Sequence, residues 1–444
     1  MNFKTALDLP NRGWHVTTIA SLCWLGVWLS IGTVPHWPEA TLMSHISSAR
    51  SVTPIIVFCL ALFWLLTNFH NFSLKLWSYP VALYCLILIA MSLIYGGVFS
   101  NWHLAISMLA ALLVVLSLEH HLNSADDAYD LLVYLSTITL TAVLFYFSFK
   151  YLSQSMHNGI LSGYLNARFE ENIPLPTGLA RTAACCLILY YFLYAKSKLS
   201  KPIFLFLAAI CVALILFYQS RGTYFAATLT LIMLGIFAGQ RRHSFIIEAL
   251  KVMGLGLVCY LGLLVVLHTT HQLYGNVGAL TDSAPQNLDQ LVGSITSATQ
   301  REYLPQSFSS GRIEDWKAAF IEIKQAPFFG RGAQADRLLL GQTASNMFIY
   351  ALLCSGLIGA GCLFIGLFFA AGRFLRVLIA GRLPLPSKNA RFYLSLALLS
   401  FLSFRGMFES GYAVFSIDYL LMLPTLSWVC SRNFVEQTGE LSVN

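Results

Sequence analysis

Four arginines stand where a sparsely charged chain has least room for them. Only 11% of the 444 residues are charged, yet Arg181 opens an apolar run in PTGLARTAA and Arg221 sits in the tight turn YQSRGTYF between two such runs. Arg312 begins the segment SGRIEDWKAAF, and Arg405 closes an apolar run in SFRGMFESG. A guanidinium keeps its charge at any working pH, and its planar fork of donors grips two phosphate oxygens at once. Arg181 and Arg312 each fall near an expected helix N-terminus, where the macrodipole disfavours a cation by about 0.3–1 kcal/mol and favours an anion. A shared ligand bearing phosphate resolves both oddities. For any one arginine, an anchor to lipid headgroups is an equally good account. Arg405 also has Glu409 four residues on, a simple helical partner. Three of the four arginines have a glycine close by (Gly178, Gly222 and Gly311), and that company favours the common anionic ligand. At Gly222 the backbone is expected to approach it closely.

The elements that must position these residues follow from composition. With 57% hydrophobic and 14% aromatic residues, the chain exceeds what a soluble domain hides, whereas a bilayer accepts such surface directly. Apolar runs fall near 15–33, 53–69, 78–98, 101–118, 130–149, 179–195, 202–218, 223–239, 245–268, 345–372, 392–405 and 412–430, the eleventh being the shortest. The expected fold is therefore all-α: one polytopic membrane domain over 1–444 with about twelve transmembrane helices. Lys and Arg cluster in KSKLSK (196–201), in QRRH (240–243) and between Arg373 and Arg391. With twelve spans these loops share a side with both termini, and the positive-inside bias makes that side cytoplasmic. The four arginines then face outward, against that bias. The first run is long and lacks a small-residue cleavage site, so it reads as an uncleaved span.

Two outward segments are long, about 151–178 and 270–343. The second carries Ile313, Trp316, Phe320 and Ile323 at helical spacing, with Ser309 or Ser310 to cap the start, Glu314 and Asp315 in the first turn and Pro327 as a stop. A short amphipathic helix on the membrane surface, or packed on the spans, is expected there. The sequence FFGRGA then turns before the chain re-enters the bilayer. Arg331 and Arg337 read as solvated loop charges, and His268 and His271 as markers of the membrane interface. Asp418, inside the last run, is either functional or hydrogen-bonded to a neighbouring helix. All ten cysteines lie in or beside apolar runs and read as packing residues, so neither a disulfide framework nor a zinc site is expected. The formal charge of +7 belongs largely to the inner loops and implies no nucleic-acid partner.

Three segments in order, QSRGTYFAA, SGRIEDWKAAFIEIKQAPFFGRGA and SNMFIYALLCSGLIGA, resemble the O-antigen ligase and O-antigen polymerase superfamily of bacterial inner-membrane glycosyltransferases. The resemblance covers about 175–420. It implies a glycan donor linked to undecaprenyl pyrophosphate, presented at the periplasmic face, with membrane lipids around it and transfer without a metal, nucleotide or other cofactor. It implies diphosphate-gripping roles for Arg221 and Arg312, with Arg181 beside them. The acceptor would be a growing glycan in a polymerase or lipid A core in a ligase, and the anomeric carbon would invert. Ligases of the family carry a His-Asn pair before the tenth span, whereas this chain reads TASNMF, with Ser345 in place of the histidine and Asn346 after it. A serine is no general base near neutral pH without a partner. Glu409, His268 or His271 is left as a base from elsewhere, and Arg405 and Glu409 as orienting groups. The missing histidine tilts the reading towards a polymerase. A flippase or transporter is the rival of another class, but the central parts of the first eight spans hold essentially no ionisable residues to guide a charged lipid.

Overall fold

The structure is a computed structural model that describes residues 14–29, 52–64, 75–95, 102–122, 124–158, 176–237, 242–281, 312–340, 343–380, 389–431 and 434. The described residues are helical and contain no strand. In chain order the helices are α1 (Trp14–Leu29), α2 (Val52–Trp64), α3 (Ser78–Tyr95), α4 (Trp102–Leu122), α5 (Ala125–Asn158), α6 (Pro176–Ala195) and α7 (Lys201–Phe217). They continue with α8 (Arg221–Phe237), α9 (Arg242–Thr281), α10 (Arg312–Gln325), α11 (Ala335–Leu340), α12 (Met347–Ile379), α13 (Ala390–Gly406) and α14 (Ile417–Val429). A single 3₁₀ turn, Gly411–Ala413, separates the last two.

Each of the twelve apolar runs holds a helix, but the expected count of twelve spans is not reached by length and composition. Six helices are long and apolar enough to cross a bilayer unaided, namely α3, α4, α5, α6, α9 and α12. Five apolar helices, α1, α2, α7, α8 and α14, have 10–17 residues. The 17-residue α13 covers the remaining run. At about 1.5 Å per residue, 17 residues reach only about 26 Å, short of a hydrocarbon core of about 30 Å. A shorter helix therefore needs its ends carried by packed neighbours. The architecture is nonetheless that of an all-α polytopic membrane protein.

The helices differ in how they meet their surroundings. α14 is buried along its length from Ile417 to Val429, and α4 is buried over most of its surface, so these two form the centre. α9 lies outside, packing chiefly on α7, with Leu250, Val258 and Val265 among its many exposed apolar residues. A helix apolar all round in the centre and apolar outward at the rim is what a lipid surround requires. All ten cysteines are free, and most are buried among other apolar groups.

The element after α10 departs from expectation. α12 is broken at Gly356, whose φ of 64° and ψ of −170° interrupt the helical ladder. The segment 327–332 fills the break: Arg331 N donates to Leu353 O (2.9 Å), Gly332 N to Cys354 O (2.8 Å), Leu357 N to Pro327 O (2.8 Å) and Ile358 N to Phe328 O (3.1 Å). Unpaired backbone groups are costly at membrane depth, and here one irregular segment satisfies the other. Gly356 lies nine residues into α12, so FFGRGA reaches about 13 Å along that helix instead of turning outside the bundle. A Cβ on Gly356 would sit 2.2 Å from Phe328 C, and one on Gly332 (φ 91°) 2.7 Å from Ser92 N. These glycines are required by close backbone contact. Gly178 and Gly222, beside the arginines, are helical and leave ordinary room for a side chain. Gly311, Ser309 and Ser310 lie outside the described residues.

Candidate functional site

The cluster begins with two arginines on one carboxylate. Arg405, at the end of α13, donates through Nη1 to Asp418 Oδ2 at 2.8 Å, and Arg181 Nη1 from α6 lies 3.5 Å from the same oxygen. Asp418 is fully buried and Arg405 is 3% exposed. The helices explain the meeting: α6 starts, α13 ends and α14 starts at this end of the bundle, and α13 packs on both of the others. The sequence alone had offered Glu409 as the partner of Arg405. α13 stops at Gly406, so the helical spacing between residues 405 and 409 never forms, and Asp418 takes the pairing instead.

Charge is not balanced within this cluster. Two guanidinium groups face one carboxylate, and Arg181 Nε, Arg405 Nε and Asp418 Oδ1 are buried without a hydrogen-bond partner among the described residues. Leaving such groups unsatisfied costs about 1–3 kcal/mol each. An arrangement of surplus donors on buried arginines is chemically suited to an oxyanion.

The turn after α13 ties the other candidates to this pair. Phe408 packs edge-on against Phe225 with centroids 5.1 Å apart, and its Cβ lies 3.5 Å from where a Cβ on Gly222 would be, so Arg221 at the start of α8 adjoins the turn that carries Glu409. Asn346 Nδ2 donates to Met407 O (3.0 Å), while Asn346 Oδ1 accepts from Phe348 N (2.9 Å) and Ile349 N (3.2 Å) as the N-cap of α12. Both polar ends of Asn346 are thus engaged in holding α12 against the turn. Ser345 has a left-handed φ of 48°, and its hydroxyl meets only Thr343, at 3.3 Å to Oγ1 and 3.4 Å to the carbonyl. Among the described residues, no carboxylate or imidazole is a partner.

Arg312 reaches the same neighbourhood through α10. Trp316, one turn further on, donates through Nε1 to Ala344 O (3.0 Å), and Ala344 N donates to Asp336 Oδ2 (2.9 Å). Asp336 is 1% exposed, and burial pushes its carboxyl above the ordinary carboxylate range, with the Ala344 amide pulling the other way. The peptide just before Ser345 is therefore clamped from both sides. The buried stripe of α10 differs from the expected one: Trp316, Ala319 and Ile323 pack inward, whereas Ile313 and Phe320 are exposed. Arg312 and Arg221 form no ion pair among the described residues.

Other candidates fall away from the cluster. His268 is exposed on α9 and pairs its ring with Gln272 (3.0 Å), and the side chain of His271 lies outside the described residues. Arg331 is not a solvated charge: it stacks over the Tyr95 ring at 5.1 Å and donates to Gln325 at 2.6 Å. Arg337 belongs to the short α11, away from these contacts. Among the described residues no group of three or more His, Cys, Asp or Glu side chains is arranged to hold a metal ion. Asp336 and the shared use of Asp418 were not legible in the sequence, because each depends on contacts between distant elements.

No curated protein matches the chain at a significant level. A family model described as O-antigen ligase matches residues 205–364, a stretch that runs from α7 past the break in α12 and contains Arg221, Arg312, Ser345 and Asn346. Over that stretch, about a third of the chain, the sequence is similar to O-antigen ligases.

Proposed function

We propose that this protein is a polysaccharide polymerase, a membrane glycosyltransferase that joins glycan units carried on undecaprenyl pyrophosphate. The observation that carries the reading is the surplus of arginine at one end of the bundle. Arg181 and Arg405 share the single carboxylate of Asp418, and Arg221 and Arg312, at the starts of α8 and α10, form no ion pair among the described residues. In this reading Arg181, Arg221 and Arg312 hold the diphosphate, Arg405 fixes the geometry through Asp418, and Asn346 keeps the turn at 407–409 in place.

The reaction is one displacement. The acceptor hydroxyl oxygen attacks the anomeric carbon, the bond from that carbon to the diphosphate oxygen breaks, and the diphosphate leaves with the electron pair, inverting the carbon. The hydroxyl proton passes to a base, for which Glu409, half-buried beside the turn, is the candidate. Preorganised cations lower the barrier by stabilising charge on the departing diphosphate. Arg391 starts the helix that Arg405 ends, Lys196 follows the helix that Arg181 opens, and Lys201 starts α7, so the arginine site faces the periplasm by the positive-inside bias, in the bacterial inner membrane with both termini cytoplasmic. Residues 270–343 then form the large periplasmic segment between the ninth and tenth runs, although α9 continues as helix to Thr281.

A polymerase is favoured over a ligase by Ser345, whose hydroxyl meets no group able to make it a base among the described residues. The test is the glycan profile of a strain carrying Arg221→Ala. Long-chain polymer is lost while the protein stays inserted, and single lipid-linked units accumulate on the outer leaflet. Full-length glycan accumulating there instead identifies a ligase, units trapped inside a flippase, and an unchanged ladder refutes the diphosphate role of Arg221.

A further inference from the structure

A cleft of about 470 Å³ lies between α6, α7, α8, α9 and α13, and nothing in the reaction above uses it. Towards the arginine cluster it is closed, because Ala184 and Phe401, which line it at that end, are both buried. On α6 it runs from Ala184 to Ala195, the last residue of the helix, and on α13 from Phe401 back to Tyr393 in the first turn. Eleven residues of α6 are about 16 Å, close to half of a hydrocarbon core of about 30 Å. The cleft therefore has the depth of one leaflet, at the end of the bundle where Lys196, Lys201 and Arg391 stand. Leu231 and Met253 in its wall are exposed, so it opens sideways between α8 and α9 onto the apolar surround. Its polar groups gather at the inner end. Ser197 and Glu248 line it there, and Glu248 Oε1 lies 3.2 Å from Lys201 Nζ, with both side chains still reaching the surface. Ser197 and Lys198 are exposed in the turn between α6 and α7. Tyr191, Tyr194 and Tyr393 line the adjoining wall, and the Tyr194 ring stacks on Phe204 at 4.7 Å. Such amphipathic rings sit where hydrocarbon meets head groups.

We propose that this cleft seats one acyl chain of an inner-leaflet glycerophospholipid, whose phosphoethanolamine head rests on Lys201 and Glu248. The inference goes beyond the proposed function and takes from it only the orientation of the inner end. The chain follows from the shape: an apolar cleft, one leaflet deep, closed at its far end and open sideways to the bilayer, takes one chain and leaves the second outside. The head follows from the charges. An ammonium and a carboxylate side by side at the mouth match a zwitterion, with the phosphate on Lys201 and Lys198, the Ser197 hydroxyl as a further donor, and the primary ammonium on Glu248. A glycerol head brings no cation for Glu248 and sets its phosphate beside a carboxylate, and a choline head has no N–H to donate. The bound chain fills space that α9, packed chiefly on α7, leaves against α6, α8 and α13.

The test is native mass spectrometry of the full-length protein, purified in mild detergent and offered equal amounts of phosphatidylethanolamine, phosphatidylglycerol and phosphatidylcholine with identical chains. One phosphatidylethanolamine per protein should be retained at least about tenfold over either competitor, corresponding to about 1.4 kcal/mol of binding. Glu248→Gln, nearly isosteric and at the surface, should erase that preference while the protein stays folded. Leu231→Trp, at the open lip, should lower retention of all three lipids. Ala249→Phe, on the rim from α9, is the second filling variant and serves where Leu231→Trp does not remain monodisperse. Equal retention of the three lipids, or a preference that survives Glu248→Gln, overturns the assignment of the head group. Total retention untouched by a folded filling variant overturns the cleft as the seat of the chain. The glycan profile of Arg221→Ala is independent of each of these outcomes, so the proposed function stands or falls separately.

Discussion

The two ends of the bundle use the same residue types on the same helices and reach opposite results. At one end Arg391 forms a fork on Asp130, with Nε to Oδ1 at 2.8 Å and Nη2 to Oδ2 at 2.9 Å, and reaches Asp126 at 2.5 Å. Lys196 also meets Asp130 (3.1 Å), Trp428 Nε1 donates to Asp126 (2.8 Å), and Lys75 pairs with Glu119, which accepts from Ser427 as well. At the other end Arg181 and Arg405 divide one carboxylate, and Arg221 and Arg312 have none among the described residues. α13 and α14 each contribute a residue to both clusters, and α6 carries Arg181 while Lys196 directly follows its end. Fourteen residues along α13 separate Arg391 from Arg405, about 21 Å of helix. Paired charges within reach of three helices bind the bundle together. Unpaired ones weaken it, and a chain with so few charges retains them only for something they contact.

That contrast yields ordered predictions. Asp418→Ala has the largest effect, because it strands the buried Arg405 guanidinium and the half-buried one of Arg181, and a loss of about 3–5 kcal/mol follows. Thermal unfolding of the detergent-solubilised protein should show most of the variant failing to fold. Gly356→Ala comes next. It combines a left-handed φ with a 2.2 Å collision against Phe328 C, and about 3 kcal/mol of destabilisation is expected in the same assay. Arg391→Lys retains the charge but loses the fork, so about 1–2 kcal/mol is lost while polymer length in the surviving protein stays unchanged. Loss of polymer out of proportion to protein level in that variant would break the comparison.

The smallest effect concerns pH. Burial raises the Asp336 carboxyl above its ordinary value, so the folded state holds its proton more tightly than the unfolded chain does. Its stabilising contribution is full below the unfolded value near 4 and is lost as pH rises through the raised folded value. Asp336→Asn keeps an acceptor for the Ala344 amide and removes that dependence. A gain of about 1–2 °C in melting temperature near neutral pH is expected, and none near pH 4.

Much of this was legible in the residues themselves. Long apolar runs marked the helices, and the spacing after Arg312 marked α10 together with its Pro327 stop. The four arginines stood out because their charge is rare in this chain. What escaped notice was tertiary. Arg181, Arg405 and Asp418 are joined by packing of three helices, whereas local spacing pointed to Glu409. The glycines beside the arginines drew attention through proximity, yet the glycine at the break of α12 is hidden in SGLIGAG, where the run reads as continuous apolar helix. Its role depends on the segment 327–332 arriving from elsewhere in the chain. The apolar stripe of α10 was misjudged for a related reason: Ala319 contributes little hydrophobicity to a pattern but is fully buried, while Phe320 faces outward.

The most direct test of the central claim is the affinity of the purified protein for undecaprenyl diphosphate and for undecaprenyl monophosphate, measured by titration at fixed salt. The wild-type protein and Arg391→Lys should both prefer the diphosphate. Arg221→Ala, at an exposed position with no ion pair among the described residues, should lose about tenfold or more of that preference with an unchanged melting temperature. Equal affinities for the two lipids, or a preference that survives Arg221→Ala and fails in Arg391→Lys, would contradict the assignment of the diphosphate to the arginine-rich end.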